Sequence, residues 1–177
     1  MDRSVELVNI MKNNVVYFAH GKESGPWGIK IKKLAEVAKG KGFTVESPDY
    51  STTVDPDERV KMLLDLNPKA GKNLVLVGSS MGGYVSAVAS KELNVSGMFL
   101  LAPAFYRAGY AQPNPKPCAQ RTLIIHGWDD KVIPVENSVR YAKEHKTELY
   151  LLKSDHRLLD VLSEIEKIFG TFLDNVL

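Results

Sequence analysis

The chain has little that would connect it to a membrane, to nucleic acid or to an oxidising compartment. Its one cysteine, Cys118, cannot form an internal disulfide, which predicts a reducing, cytoplasmic location. No apolar run approaches the roughly 18 residues of a membrane span, and the polar opening of the chain is not expected to be a secretion signal. Its 23 basic and 21 acidic residues are mixed along the chain, so we expect no nucleic-acid partner and no membrane partner.

The sequence does contain a regular alternation of short apolar runs and amphipathic segments. Strands are predicted at 15–19, 43–46, 73–77, 96–101, 121–126 and 148–152, and helices at about 27–39, 55–66, 81–93, 135–145 and 157–176. Strands that are apolar on both faces need helices on both sides. We therefore expect one α/β domain over residues 1–177, a three-layer α/β/α sandwich around a mostly parallel six-stranded sheet. Residues 1–13 fit either a frayed helix or an extra edge strand.

The most informative segment is Gly78-Ser79-Ser80-Met81-Gly82, between a predicted strand and a predicted helix. Gly-x-Ser-x-Gly in this context is typical of a nucleophile elbow, a turn so sharp that side chains two positions from the serine would collide. Ser80 has glycine at both of those positions, whereas Ser79 has Val77 and Met81. The pattern therefore selects Ser80 as the candidate nucleophile.

A serine nucleophile needs a general base and an acid. Where the serine lies in a nucleophile elbow, the acid comes next along the chain and the histidine last. Of the four histidines, only His145 and His156 lie far enough along the chain, and His145 lies in the charged end of a helix. His156 follows the last strand, on a loop that can fold over the sheet edge. Asp129 and Asp130 both follow the fifth strand, and spacing alone does not choose between them.

The segment His126-Gly127-Trp128-Asp129-Asp130-Lys131-Val132-Ile133-Pro134 resembles the H-G-x-x-D-x-x-V-P segment of α/β-hydrolase-fold serine hydrolases. Together with the elbow, it makes the chain similar to small members with little or no lid, of the dienelactone-hydrolase-like, acyl-esterase and thioesterase types. This resemblance implies a minimal α/β-hydrolase fold and a Ser80, Asp130 and His156 catalytic triad. Dienelactone hydrolases have cysteine at the elbow, so the serine here favours ester or thioester hydrolysis.

Acyl transfer also needs an oxyanion hole, usually two backbone N–H groups aimed at the developing negative charge. The first donor is expected to be Met81, which follows the nucleophile. The resemblance implies that the second comes from the His20-Gly21-Lys22 segment after the first strand, as the amide of Lys22. The implied mechanism is acyl transfer through an acyl-enzyme, and it requires no metal and no organic cofactor.

The predicted connection between the fourth and fifth strands, residues 102–120, is too short for a lid domain. We therefore expect a shallow, open pocket for a small ester, thioester or peptide-like substrate. Its predicted lining is aromatic: Phe105, Tyr106, Tyr110 and Trp128, with Trp27 as a further candidate. The oligomeric state cannot be inferred from these patterns.

Two other classes of protein fit part of the pattern. A flavodoxin-like nucleotide or flavin binder has the same alternation, and its phosphate could lie at the helix N-terminus that follows Ser80. That reading predicts no role for His156 or Asp130. A catalytically idle hydrolase-fold protein that acts as a binding module is the second alternative, and it would require an intact triad without activity.

Overall fold

The computed structural model describes residues 13–177, and the predicted frayed helix or edge strand at 1–13 lies almost wholly outside them. The strands are β1 (Asn14–Ala19), β2 (Thr44–Glu46), β3 (Asn73–Ser79), β4 (Val95–Leu101), β5 (Ala119–Gly127) and β6 (Glu148–Leu152). The helices are α1 (Ile29–Gly40), α2 (Pro56–Asp65), α3 (Met81–Ala89), α4 (Val135–His145) and α5 (Leu162–Asp174). None of these five helices has the length and apolar character that crossing a membrane requires.

The six strands form one parallel sheet in the order β2-β1-β3-β4-β5-β6. The sheet was expected to be mostly parallel, and every strand pair in it is parallel. From β1 the chain first adds β2 on one side and then β3 on the other, so the strand order reverses between β1 and β3. In open α/β sheets, binding crevices form at the carboxyl ends of the strands beside such a reversal. The segments after β1 and β3 are the predicted oxyanion loop and the predicted elbow.

The two faces of the sheet carry two separate apolar cores because successive strand residues point to opposite sides. In β3, Val75 and Val77 pack with the α1 and α5 side, while Leu74 and Leu76 pack with the α3 and α4 side. Helix α2 packs against α3 on that second side. This alternation explains why the strands read as continuous apolar runs, as expected for a sheet covered on both faces.

The helix boundaries differ most from the prediction at α5, which begins at Leu162 and not near residue 157. The Asp155 carboxylate accepts hydrogen bonds from the Arg157 and Leu158 N–H groups and closes a turn there. Leu158 has φ = 59°, a left-handed conformation that ends regular helix. The turn keeps 153–161 irregular, and this irregular segment carries His156.

Candidate active site

Ser80 lies in a strained turn between β3 and α3, with φ = 54° and ψ = −116°. A side chain on Gly78 would come within 2.2 Å of the Gly82 carbonyl oxygen, and one on Gly82 within 1.8 Å of the Ala19 carbonyl oxygen at the end of β1. Both positions therefore require glycine, as the elbow pattern predicts. The strained Ser80 backbone is held by hydrogen bonds from Ser80 N–H to Leu101 O and from Ala104 N–H to Ser80 O.

The loop that carries His156 is held across the end of β5. A Cβ on Gly127 would lie 2.2 Å from the Ser154 carbonyl oxygen, so only glycine lets this loop pass so close. The Trp128 N–H donates to Leu152 O at 2.9 Å, and the Asp129 N–H donates to Ser154 O at 3.0 Å. These contacts bring the segments after β5 and β6 together.

The structure brings Ser80, His156 and Asp130 into one hydrogen-bonded chain. His156 Nδ1 lies 2.6 Å from Asp130 Oδ2, and His156 Nε2 lies 3.1 Å from Ser80 Oγ. A carboxylate oxygen only accepts hydrogen bonds, so Nδ1 carries the proton and Nε2 accepts the Ser80 hydroxyl. The Asp130 side chain is 0% exposed and that of His156 21% exposed, so only the serine end of the chain faces the surface.

Asp130 receives four hydrogen bonds, two at each oxygen. Oδ1 accepts from the N–H groups of Val132 and Ile133, at 2.7 and 2.8 Å. Oδ2 accepts from His156 and also from His126 Nε2, which lies 2.9 Å away. Burial alone would raise the pKa of Asp130, but the hydrogen bonds from Ile133, His156 and Val132 outweigh it, and the net pKa is lowered. Asp130 is therefore held as a carboxylate inside the protein.

His126 is a second imidazole bound to this carboxylate, and it is 0% exposed. Asp130 Oδ2 only accepts, so His126 Nε2 carries the proton, and Nδ1 accepts from the Ser138 hydroxyl at 2.7 Å. Burial, the largest effect, lowers the pKa of His126, so the ring stays neutral. The sequence shows His126 at the end of a predicted strand. Its partner Ser138 lies on α4, and no spacing rule predicts that contact.

The loop after β1 passes directly beside the candidate nucleophile. A Cβ on Gly21 would lie 3.6 Å from Ser80 Cβ and 3.5 Å from Ser79 O. Within residues 13–177, neither the Lys22 N–H nor the Met81 N–H donates a hydrogen bond to a protein acceptor. Two unpartnered backbone donors, one on each side of Ser80, are what the oxyanion-hole prediction requires.

His20 holds this loop and is 1% exposed. Its Nε2 accepts the backbone N–H of Tyr50 at 2.9 Å, so the proton is on Nδ1, which donates to Gly21 O at 2.8 Å. Burial, the largest effect, lowers the pKa of His20. Both ring nitrogens are engaged, and the ring is therefore a structural clamp.

One of the four predicted pocket aromatics lies in the core, which corrects the prediction for that residue. Phe105 is 0% exposed and stacks on Tyr141 with ring centroids 4.0 Å apart, so it belongs to the core. The Tyr106 hydroxyl bonds Glu144 near the C-terminal end of α4, and Arg140 lies 4.2 Å from its ring centroid.

The other two aromatics differ in exposure. Tyr110 is half-buried and meets Tyr84 edge-on, with ring centroids 4.6 Å apart. Trp128 is 57% exposed and lies two residues before Asp130, on the loop that carries the acid. Both remain candidates for contact with a substrate. The predicted Trp27 is also partly exposed, at 43%.

The connection from 102 to 118 contains no helix and is tied to the elements beneath it. Five hydrogen bonds hold it in place: Ala111 N–H to Asp57, Gln112 N–H to Tyr84 Oη, Cys118 N–H to Ser90 Oγ, Tyr141 Oη–H to Pro115 O and Asn137 Nδ2–H to Phe105 O. These bonds join the connection to α2, to α3 with the residue after it, and to α4. The segment that was expected to be too short for a lid is thus a strap along the surface.

A concavity of about 180 Å³ lies between β5, β6 and α5, lined by residues such as Arg121, Tyr150 and Phe172. It includes none of the three residues of the hydrogen-bonded chain and is small for a ligand pocket. In the part of the chain that the structure describes, no group of three or more His, Cys, Asp and Glu side chains could hold a metal ion.

This fold and this serine-centred site define a member of the α/β-hydrolase superfamily. A candidate hydrolase of that superfamily from Xanthomonas campestris superposes with a TM-score of 0.82 at 30% identity, over 92% of this chain and 99% of that one. The family model described as uncharacterised protein family UPF0227 matches residues 14–114, and the chain belongs to that family. No curated protein matches the sequence.

More distant solved structures share the fold. Est1E from Butyrivibrio proteoclasticus superposes with a TM-score of 0.77 at 16% identity, over 96% of this chain and 90% of that one. An esterase from Pyrococcus furiosus gives a TM-score of 0.72 at 19% identity, over 93% and 82% of the two chains. The predicted resemblance to small α/β hydrolases is confirmed, and superfamily membership supports hydrolase activity.

Proposed function

We propose that this protein is a serine hydrolase that cleaves an ester or thioester of a small acyl group. One observation carries the proposal: His156 joins the Ser80 hydroxyl, at 3.1 Å, to the Asp130 carboxylate, at 2.6 Å. Nucleophile, base and orienting acid within hydrogen-bond reach are the arrangement that activates a serine for acyl transfer. A flavodoxin-like binder would need no such chain of contacts, so the site favours the hydrolase.

In the acylation step, His156 Nε2 takes the Ser80 proton as Oγ attacks the substrate carbonyl carbon. The carbonyl oxygen becomes negative and accepts hydrogen bonds from the Met81 and Lys22 amides. His156 then gives its proton to the leaving alcohol or thiol, and the acyl group stays on Ser80. Asp130 keeps the imidazole in the required tautomer and stabilises its protonated form.

In the deacylation step, His156 takes a proton from water, and the hydroxide attacks the acyl carbon. The second tetrahedral intermediate collapses when Ser80 leaves and takes the proton back from His156. The product is the free acid. His126 and His20 transfer no proton in this scheme, because both of their ring nitrogens are already engaged within the protein.

The test of this function is labelling of the full chain with a fluorophosphonate, combined with hydrolysis of p-nitrophenyl acetate. We expect labelling at Ser80 and loss of both activities in Ser80→Ala. Ser79→Ala is the matched control, since it removes the neighbouring hydroxyl, and it should keep both. Labelling that survives Ser80→Ala contradicts the assignment, and an unlabelled, inactive wild type favours the idle binding module.

The size of the acyl group follows from the connection at 102–118, which contains no helix and is too short for a lid domain over Ser80. A long acyl tail would lie on exposed surface, where each CH₂ gains little of the ~0.8 kcal/mol available on full burial. We expect kcat/KM to peak at about two to six acyl carbons and then fall or stay flat, because longer tails add no buried area. A steady rise through dodecanoyl esters would show that a deep apolar channel exists after all.

A further inference from the structure

Arg59, on α2, is a buried cation that the triad does not use. It is 1% exposed, and no carboxylate of residues 13–177 lies within ion-pairing distance of it. Its guanidinium donates instead to backbone carbonyls: Nε to Thr53 O at 2.9 Å and Nη1 to Gly21 O at 3.1 Å, with longer contacts to His20 O and Lys22 O, both at 3.4 Å. Three of these four carbonyls belong to consecutive residues of the loop beside Ser80.

The central contact is with the peptide unit that joins Gly21 to Lys22. Its carbonyl oxygen, Gly21 O, accepts from Arg59 and also from His20 Nδ1 at 2.8 Å, with a longer contact from Ser24 Oγ at 3.4 Å. The C=O and N–H of a trans peptide point in opposite directions. With the carbonyl turned toward Arg59, the Lys22 N–H is turned away from it.

The charge of Arg59 also acts on this peptide. A guanidinium is charged at every physiological pH, and a buried charge acts through a medium of lower dielectric constant than water. A cation at the carbonyl end draws electron density from the amide and strengthens its N–H as a donor. The Lys22 N–H has no protein acceptor within residues 13–177, so the strengthened donor is available to a substrate oxygen.

We propose that Arg59 is a positioning residue for the oxyanion hole, which fixes and polarises the Gly21–Lys22 peptide so that the Lys22 N–H binds the oxyanion of the tetrahedral intermediate. This inference rests on the proposed hydrolase function. It explains why an arginine that has no carboxylate of residues 13–177 within ion-pairing distance is kept inside the protein, where a buried charge is otherwise costly.

The test compares Arg59→Met, Arg59→Lys and the control Arg121→Met. Arg121 is also an arginine, but it pairs with Glu148 on the edge of the sheet. Loss of one oxyanion donor costs about 10²–10³ in kcat, so a displaced donor should cost about 10–100-fold in Arg59→Met, with KM nearly unchanged. Arg59→Lys keeps the charge, so its kcat should lie between those of Arg59→Met and the wild type. The kcat of Arg121→Met should stay within about twofold of wild type.

Two binding measurements separate positioning from a general loss of structure. A trifluoromethyl ketone adds to Ser80 as a tetrahedral adduct, and its affinity should fall in parallel with kcat. An uncleaved ester bound to the Ser80→Ala background should keep its affinity when Arg59→Met or Arg59→Lys is added. Equal losses in both, or a folded Arg59→Met variant with wild-type kcat, would overturn the proposal.

If Arg59→Met does not fold, Arg59→Lys and a measurement on the wild type decide. Binding of the ketone to the wild-type chain should shift the NMR signals of the Lys22 amide and of the Arg59 guanidinium. Unchanged signals on saturation overturn the inference even though turnover continues. A wild type that neither hydrolyses esters nor reacts with fluorophosphonate contradicts the function itself, which is a distinct result.

Discussion

The same two-residue sequence, His-Gly, ends two strands of the sheet with different results. His20-Gly21 comes directly after β1, and His126-Gly127 forms the last two residues of β5. Both imidazoles are buried and neutral, and both glycines pass close to another loop. His20 holds a neutral carbonyl beside the nucleophile, whereas His126 holds the Asp130 carboxylate.

The two rings also donate through opposite nitrogens. His20 donates through Nδ1 and accepts at Nε2, and His126 does the reverse. The tautomer is set in one case by the Tyr50 N–H, which only donates, and in the other by the Asp130 carboxylate, which only accepts. A local sequence motif thus fixes where a histidine lies, and its hydrogen-bond partner fixes what the histidine does.

The largest loss of kcat is expected on substitution of Asp130, the carboxylate to which His126 donates. Asp130→Asn places an amide where four donors converge, so at least two N–H groups lose their acceptor and the His156 tautomer is no longer fixed. We expect kcat to fall about 10³–10⁴-fold, as in other triads with this change. Steady-state hydrolysis of p-nitrophenyl acetate measures it, and Asp129→Asn is the control. A larger loss in Asp129→Asn would show that the acid is Asp129.

Because the two histidines donate through opposite nitrogens, glutamine should replace His126 better than asparagine does, and the reverse should hold at His20. Glutamine can present a donor near the position of Nε2, and asparagine near that of Nδ1. His126→Gln should therefore keep kcat within about threefold, while His126→Asn leaves a buried carboxylate short of one donor, which costs about 1–3 kcal/mol, or roughly 10–100-fold if it falls on the transition state. Kinetics and thermal melts of both variants test this. Equal kcat in the two variants would contradict the assigned tautomer.

At His20 the order of the two replacements should reverse. Asparagine keeps a donor for Gly21 O, and glutamine does not, so His20→Gln should lose about tenfold in kcat and His20→Asn about twofold or less. The effects are smaller than at His126 because Gly21 O is a neutral carbonyl, whereas the His126 ring donates to a buried carboxylate. An Asn preference at both positions would mean that side-chain size, and not the donating nitrogen, sets the outcome.

Both histidines should make the protein sensitive to acid. Burial lowers the pKa of each in the folded state below the usual 6.5, so the unfolded chain takes up protons first as pH falls. The free energy of unfolding should be constant above pH 6.5 and decrease below it, by up to about 1.4 kcal/mol per pH unit for each histidine. Urea unfolding between pH 7.5 and 5 measures the slope.

His20→Asn and His126→Gln should each reduce that slope by up to about 1.4 kcal/mol per pH unit, which corresponds to one bound proton, since neither replacement titrates. Ser79→Ala, which removes no titratable group, is the control and should leave the slope unchanged. Asp130 acts in a lower pH range. Its pKa is lowered in the folded state, so its stabilising effect is lost only below pH 3.8, the usual pKa of an aspartate. A slope that survives both substitutions would locate the acid sensitivity elsewhere.

The fold and the centre of the site could be predicted because they depend on local chemistry. Apolar runs gave all six strands, since both faces are buried, and paired glycines identified Ser80, since only glycine fits beside it. The contacts of Ser138 and Arg59 could not be predicted, because Ser138 on α4 meets His126 at the end of β5 and Arg59 on α2 meets the loop after β1. Phe105 failed as a pocket residue because aromatic character alone does not distinguish a core from a rim.

The strap at 102–118 has a kinetic consequence. A loop that must open and close adds a conformational step to each turnover, and in many enzymes that step sets the rate. Here the connection is fastened along α2, α3 and α4, so it adds no such step. In the proposed mechanism this connection would not close over the acyl group on Ser80, and water would outcompete dilute alcohols or amines for it. The strap thus favours hydrolysis over transfer of the acyl group to another acceptor.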